Sequence, residues 1–261
     1  MKIVCLKGGL GNQMFEYCRF RDLMESGHDE VYLFYDHRRL KQHNGLRLSD
    51  CFELELPSCP WGVKLVVWGL KICRAVGVLK RLYDDEKPEA VLIDDYSQHR
   101  RFIPNARRYF FFRQFLAELQ SGFVQMIRAV DYPVSVHVRR GDYLHPSNSS
   151  FGLCGVDYFQ QAIAYVRKKR PDARFFFFSD DMEWVRENLW MEDAVYVEHT
   201  ELLPDYVDLY LMTLCRGHII SNSTFSFWGA YLAVDGNGMK IYPRRWFRDP
   251  TWTSPPIFSE E

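Results

Sequence analysis

Val134-Ser135-Val136-His137-Val138-Arg139-Arg140-Gly141-Asp142-Tyr143 is the stretch on which the fold turns. Apolar and polar residues alternate from Val134 to Arg139, the period of a β-strand with two unlike faces. The valines take one face. Ser135, His137 and Arg139 take the other, which is expected to look toward a binding cleft. Beyond Val138 the chain turns to charge and a glycine, so the strand ends in a polar loop. A guanidinium at a strand end can grip two phosphate oxygens at once, which makes Arg139 a candidate phosphate cation. Arg140 with Asp142 reads equally well as a structural ion pair.

Downstream of this stretch, strand and helix patterns alternate. Asp157–Lys169 reads as a helix. Phe175–Phe178 reads as a strand, ending in Ser179-Asp180-Asp181 before a helix through Leu189. Ala194–Val197 is the next strand and Tyr206–Leu214 the next helix. Ile219–Ser221, a helix to Val234 and the strand Lys240–Tyr242 complete the series. Such alternation implies a parallel sheet covered on both faces, with ligands held beyond the carboxyl ends of its strands. Three polar clusters fall at those ends: His137–Tyr143, Ser179–Asp181 and Ser221–Ser226. In the second, one aspartate suits the hydrogens of a base or ribose, and the other suits a helix N-cap. In the third, hydroxyls before a helix suit an anion, although capping alone accounts for one serine. Phe225, Phe227 and Trp228 read more readily as core than as a stacking surface.

Upstream, Lys2–Leu6 is a strand, Gly8–Gln13 a turn and Met14–Met24 a helix, the opening of an α/β unit. Gly11 and its neighbours let backbone approach a ligand. Asn12 and Gln13 put two amides at the helix start. A tight turn capped by Asn12 is an equal reading. Val31–Tyr35 and Val91–Ile93 are strands and Arg113–Ile127 a helix. A boundary at Ala129–Pro133 divides the chain into 1–128 and 129–261. Trp61–Leu82 is apolar but carries Lys64, Lys71, Arg74, Lys80 and Arg81, and reads as an amphipathic helix or helical pair. It is expected either to associate weakly, and salt-sensitively, with anionic membranes or to be a buried helix with lysines at its rim.

Of the 261 residues, 47% are hydrophobic and 16% aromatic, enough for true cores and against disorder. A formal net charge of -1 argues against nucleic acid as a partner. The apolar run after Met1-Lys2 is too short for a signal core, and no stretch reaches membrane-span length. Seven scattered cysteines without a CxxC pair fit free thiols. The expectation is a cytoplasmic protein, placed at the inner face of the membrane if the basic segment binds lipid. Asp-x-Asp is absent from the chain and the histidines lack ligand spacing, so no metal site and no cofactor is expected.

Gly8–Phe15, His137–Tyr143, Phe178–Asp181 and Ser221–Tyr231 together resemble the family 11 glycosyltransferases, the α-1,2-fucosyltransferases of bacteria and animals. The order and spacing match from Met1 to about Phe247, apart from residues 40–90. Asp94-Asp95-Tyr96-Ser97-Gln98 departs from a family segment that usually reads Gly-Tyr-x-Gln-Ser. The resemblance implies a GT-B fold, two Rossmann-like domains facing across a cleft. Residues 129–261 would bind GDP-fucose and 1–128 most of an oligosaccharide or glycoconjugate acceptor. By motif position, Arg139 would bind the β-phosphate, with His137 near the nucleotide. Asp180 would contact guanine, and Ser223, Thr224 and Phe225 would line the diphosphate. Asn12 would reach the fucose or diphosphate, flanked by Gly11 and Gln13. The implied reaction is inverting and metal-independent transfer to a 2-hydroxyl, galactose being the expected acceptor sugar. Transfer to another position, such as α-1,3, and a non-catalytic nucleotide- or glycan-binding module are the alternatives.

Overall fold

A computed structural model describes residues 1–41, 44–85, 87–119, 122–148, 150–198, 203–249 and 257. The chain divides into two compact units. One is Met1–Arg113, rejoined by the buried Ile257, and the other is Gln114–Pro255.

The first unit runs β1 (Lys2–Leu6), α1 (Leu10–Glu25), β2 (Val31–Tyr35), α2 (His37–Leu40), α3 (Leu48–Cys51), α4 (Trp61–Ala75) and β3 (Leu92–Ile93). Its sheet is parallel in the order β2-β1-β3. Helix α1 begins four residues earlier than the sequence pattern implies, because Gly8 and Gly9 alone make the turn. Gly8 has φ 68°, and a Cβ there would lie 2.6 Å from Asn12 Nδ2, so the turn requires glycine. Asn12 and Gln13 therefore belong to the first turn of α1. Helix α4 also stops short of Leu82. Gly77 and Leu79 take left-handed backbone at φ 76° and 53°, and Lys80–Leu82 form one 3-10 turn. Val63, Val67 and Leu70 on α4 pack with Ile3, Cys5 and Leu92 of the sheet.

The second unit runs α5 (Gln114–Ala117), α6 (Gly122–Arg128), β4 (Tyr132–Val138), α7 (Val156–Lys169), β5 (Ala173–Ser179), α8 (Met182–Asn188), β6 (Val195–Tyr196), α9 (Tyr206–Leu214), β7 (Gly217–Ile219), α10 (Thr224–Tyr231) and β8 (Lys240–Ile241). The helix expected over Arg113–Ile127 is thus two short ones, α5 and α6, which lie ahead of Ala129–Pro133 yet belong to this unit. The five strands are all parallel, in the order β6-β5-β4-β7-β8. On one face, Val134, Val136, Val138, Phe175 and Phe177 pack under Phe159, Ile163 and Val166 of α7.

The other face of β4 corrects the sequence reading. All seven residues of the strand are buried, Ser135 and His137 included. Ser135 Oγ lies 2.8 Å from His218 Nδ1, and His137 Nδ1 lies 3.0 Å from Ser221 Oγ. The polar face of the strand is an interior layer, because a parallel sheet is covered on both sides. Of Ser135, His137 and Arg139, only Arg139, just past the strand end, reaches solvent, with 33% of its side chain exposed.

Candidate functional site

The second sheet starts at β4, adds β5 and β6 on one side, then crosses back to add β7 and β8 on the other. Where strand order reverses, the two flanking connections depart to opposite faces and leave room for a ligand at the carboxyl ends. Here that point lies between β4 and β7. The loop after β4 carries Arg139–Tyr143, the loop after β7 carries Ser221–Ser223, and Ser179–Asp181 closes the row after β5.

Arg139 sits among carboxylates. Its guanidinium lies 2.7 Å from Asp142 Oδ1 and 3.1 Å from Asp180 Oδ2. The ring of Tyr143 lies 5.8 Å from it. Asp142 therefore pairs with Arg139, not with Arg140 as the sequence suggested. Arg140 turns the other way: its Nε is 3.0 Å from Asp181 Oδ2, and its guanidinium covers Trp184 at 3.9 Å. The peptide N–H of Arg140 donates to Asp180 Oδ1 at 2.9 Å, which pins the loop to the end of β5. Gly141 makes this possible, since a Cβ there would stand 2.6 Å from Asp180 Oδ2. Asp181 is the capping aspartate, accepting from Trp184 N at 3.2 Å, while the two oxygens of Asp180 take the Arg140 peptide N–H and the Arg139 guanidinium.

His137 lies beneath this layer. Burial pushes it down to about 4, so it is neutral near pH 7. It packs 5.8 Å from the Phe225 ring while holding Ser221, which gives it a supporting position rather than an open one. The hydroxyls before α10 are not caps. Ser223 occupies the N-cap without a side-chain bond. Ser226 Oγ donates back to Ser223 O at 3.0 Å. Thr224 and Phe225, in the first turn of α10, are half-buried.

Two residues that hold the site loops together were not singled out within their sequence clusters. Tyr143 donates to Asn222 O at 3.0 Å and stacks on Phe151 at 4.8 Å, tying the loop after β4 to the loop after β7. Asn222 Nδ2 donates to Gly152 O at 2.6 Å and Trp246 O at 2.7 Å, which fixes that second loop. The signal available was an aromatic and an amide among the motif residues, each too common alone to single out.

The cluster in the first unit is built differently. Gln13 is 0% exposed. Its amide donates to Gly8 O at 3.0 Å and Gly45 O at 2.9 Å, and its oxygen accepts from Arg47 N at 3.1 Å. Gln13 is thus held by the backbone around the turn, and Gly11 is buried beside it in the first turn of α1. Asn12 is half-buried and accepts from Gln98 Nε2 at 2.9 Å, which joins two motif segments within this unit. Among the described residues, no group of three or more His, Cys, Asp or Glu side chains is placed to share a metal ion.

The model of glycosyl transferase family 11 matches residues 105–260 of the chain. An α-1,2-colitosyltransferase of Escherichia coli is 28% identical over 265 residues, 93% of this chain and 91% of its own. The O-antigen biosynthesis glycosyltransferase WbnK of Escherichia coli is 25% identical, covering 93% of this chain and 94% of its own. Human galactoside α-(1,2)-fucosyltransferase 1 is 35% identical over 119 residues, 43% of this chain and 33% of its own. Among solved structures, NodZ α-1,6-fucosyltransferase soaked with GDP-fucose aligns with TM-score 0.53 at 15% identity, over 89% of this chain and 92% of that one. That likeness shows the fold, of GT-B type with two parallel α/β sheets.

Proposed function

The chain belongs to glycosyl transferase family 11, and from that premise we propose that it transfers L-fucose from GDP-fucose to the 2-hydroxyl of a galactose-terminated acceptor, with inversion and without a metal ion. The observation that carries this reading is Arg139, a permanent cation at the switch point of the second sheet, flanked by Asp142 and Asp180. As the bond between C1 of fucose and the β-phosphate oxygen breaks, the sugar becomes oxocarbenium-like and negative charge gathers on GDP. A pre-positioned guanidinium stabilises that charge more than it stabilises the intact donor. The acceptor oxygen forms its bond to C1 from the opposite face and gives up its proton, so a β-linked donor yields an α-linked product. Asp180 accepts from the guanine N1 and N2 hydrogens. Ser223, Thr224 and Phe225, at the start of α10, line the diphosphate where helix N–H groups point outward. His137 supports this layer from below. Acceptor binding is assigned to the first unit.

The α-1,2-colitosyltransferase likeness favours one second reading, in which the sugar carried is colitose and the 2-hydroxyl linkage is the same. The experiment is to incubate purified protein, dialysed and held in excess EDTA, with GDP-fucose or GDP-colitose and a panel of galactose-terminated glycans. Product linkage is then determined by NMR. An α-1,2-fucosylated product formed in EDTA is expected. A colitosylated product alone selects the second reading. No transfer without added magnesium or manganese, or a different linkage, overturns the proposal.

A further inference from the structure

Helix α4 has two apolar faces, and its core uses only one. Val63, Val67 and Leu70 enter the first unit. Trp61, Leu65, Trp68 and Ile72, spaced by four, three and four residues, line the opposite face in the open, at 64%, 51%, 49% and 65% exposure. Trp61 and Trp68 pack edge to face at 5.7 Å, so the stripe is a formed surface and not a scatter of side chains. Val76, Val78 and Leu79 prolong it beyond the helix end, all exposed. Contiguous apolar surface of this kind marks a place of contact.

The charge around the stripe selects the partner. From Trp61 to Leu82 there is no Asp or Glu, while Lys64, Lys71, Arg74, Lys80 and Arg81 are present, in a chain of formal net charge -1. Lys64 and Lys71, seven residues apart, flank the stripe along one side. Lys71 and Arg74 are within 3.8 and 3.6 Å of Asp94, whereas Lys64, Lys80 and Arg81 enter no ion pair among the described residues. A second copy of the chain would bring the same positive charge against itself. An anionic lipid surface complements the charge, takes up the apolar side chains, and suits tryptophans at headgroup depth. No helix among the described residues is long and apolar enough to cross a membrane, so this contact lies on a bilayer and does not span it.

We propose that the outer face of α4 and the turn after it dock the protein on anionic lipid bilayers. The test is flotation with vesicles of phosphatidylcholine containing about one third phosphatidylglycerol, against pure phosphatidylcholine, at low ionic strength. Wild type is expected to float with the anionic vesicles only, to be released by high salt, and to show a blue shift of tryptophan emission. Each basic residue contributes about fivefold to partitioning, so Lys64→Gln, Lys80→Gln and Arg81→Gln together should weaken it on the order of 100-fold. Trp61→Ser with Trp68→Ser should abolish it, with circular dichroism showing the fold retained. Three results would overturn the proposal: no flotation of wild type with anionic vesicles, equal flotation with pure phosphatidylcholine, or sedimentation as a dimer that the tryptophan substitutions dissolve.

Discussion

The loop after β1 and the loop after β4 hold equivalent places: each leaves the carboxyl end of a strand inside a parallel sheet. In the sequence both look like ligand loops, one with two amides and the other with two arginines. The first turns its polar groups inward. Gln13 binds Gly8, Gly45 and Arg47, and Asn12 binds Gln98. The second keeps Arg139 at the rim between Asp142 and Asp180, where a phosphate can compete for it. The difference is one of length and charge. A short neutral amide next to backbone is satisfied by that backbone. A long permanent cation is satisfied by whichever anion is strongest.

The two units also differ in the sign of their buried titrating groups, which gives the largest expected effect. In the second unit, burial pushes His137 down to about 4 and His218 to about 3, from 6.5. Both are neutral when folded, and in the unfolded chain they protonate below pH 6.5. Their stability is therefore full above pH 6.5 and is lost as pH falls toward the folded values. Between pH 8 and pH 5 each should cost about 2 kcal/mol. In the first unit the sign reverses. Burial holds Glu16 well above its usual range and brings Asp85 up to about 6. Such groups favour folding below their unfolded values and lose that contribution as pH rises through the folded ones. Hydrogen exchange, corrected for its intrinsic pH dependence, should show acid loosening residues 114–249 and not residues 1–113. Equal loosening of both would break the contrast.

The next effect is that of Gln13→Ala. It leaves Arg47 N and two carbonyls without their buried partner, and should cost about 3 kcal/mol by denaturant melting. The fraction still folded should keep kcat within a few-fold. A stable variant with kcat reduced more than tenfold would put Gln13 back in the site. A smaller effect is expected for Gly141→Ala. Its methyl displaces the Asp180 carboxylate, and turnover should fall about tenfold with little change in melting, an effect near 1.4 kcal/mol. Unchanged turnover would show that Asp180 has no part in arranging Arg139.

Local patterns carried much of this fold. Strands Lys2–Leu6 and Val31–Tyr35 coincide with their apolar runs, and the three strand-end clusters do lie side by side. What escaped was non-local. Asp180 lies 41 residues from Arg139 in sequence and reaches it because β4 and β5 are neighbours with Val138 opposite Ser179. Asp142 was the nearer choice for Arg140 by sequence alone, yet the cap at Asp181 draws Arg140 away. The Ser135 and His137 face also looked open, because alternation does not reveal that His218 on the neighbouring strand and Ser221 just beyond it satisfy these side chains inside the molecule. Residues 40–90 gave only an amphipathic helix or helical pair over Trp61–Leu82, of which Trp61–Ala75 is helix, because much of the remainder is held by short turns.

The contrast between the two loops rests on Arg139 as the cation that meets charge on the departing GDP. The direct measurement is steady-state transfer from GDP-fucose by Arg139→Ala, with Arg139→Lys and wild type beside it and melting curves to show each is folded. Loss of a group that acts in the transition state should lower kcat on the order of 100-fold or more, beyond any change in KM, and lysine should restore little because it lacks the planar fork. A folded Arg139→Ala that turns over within a few-fold of wild type would contradict the account.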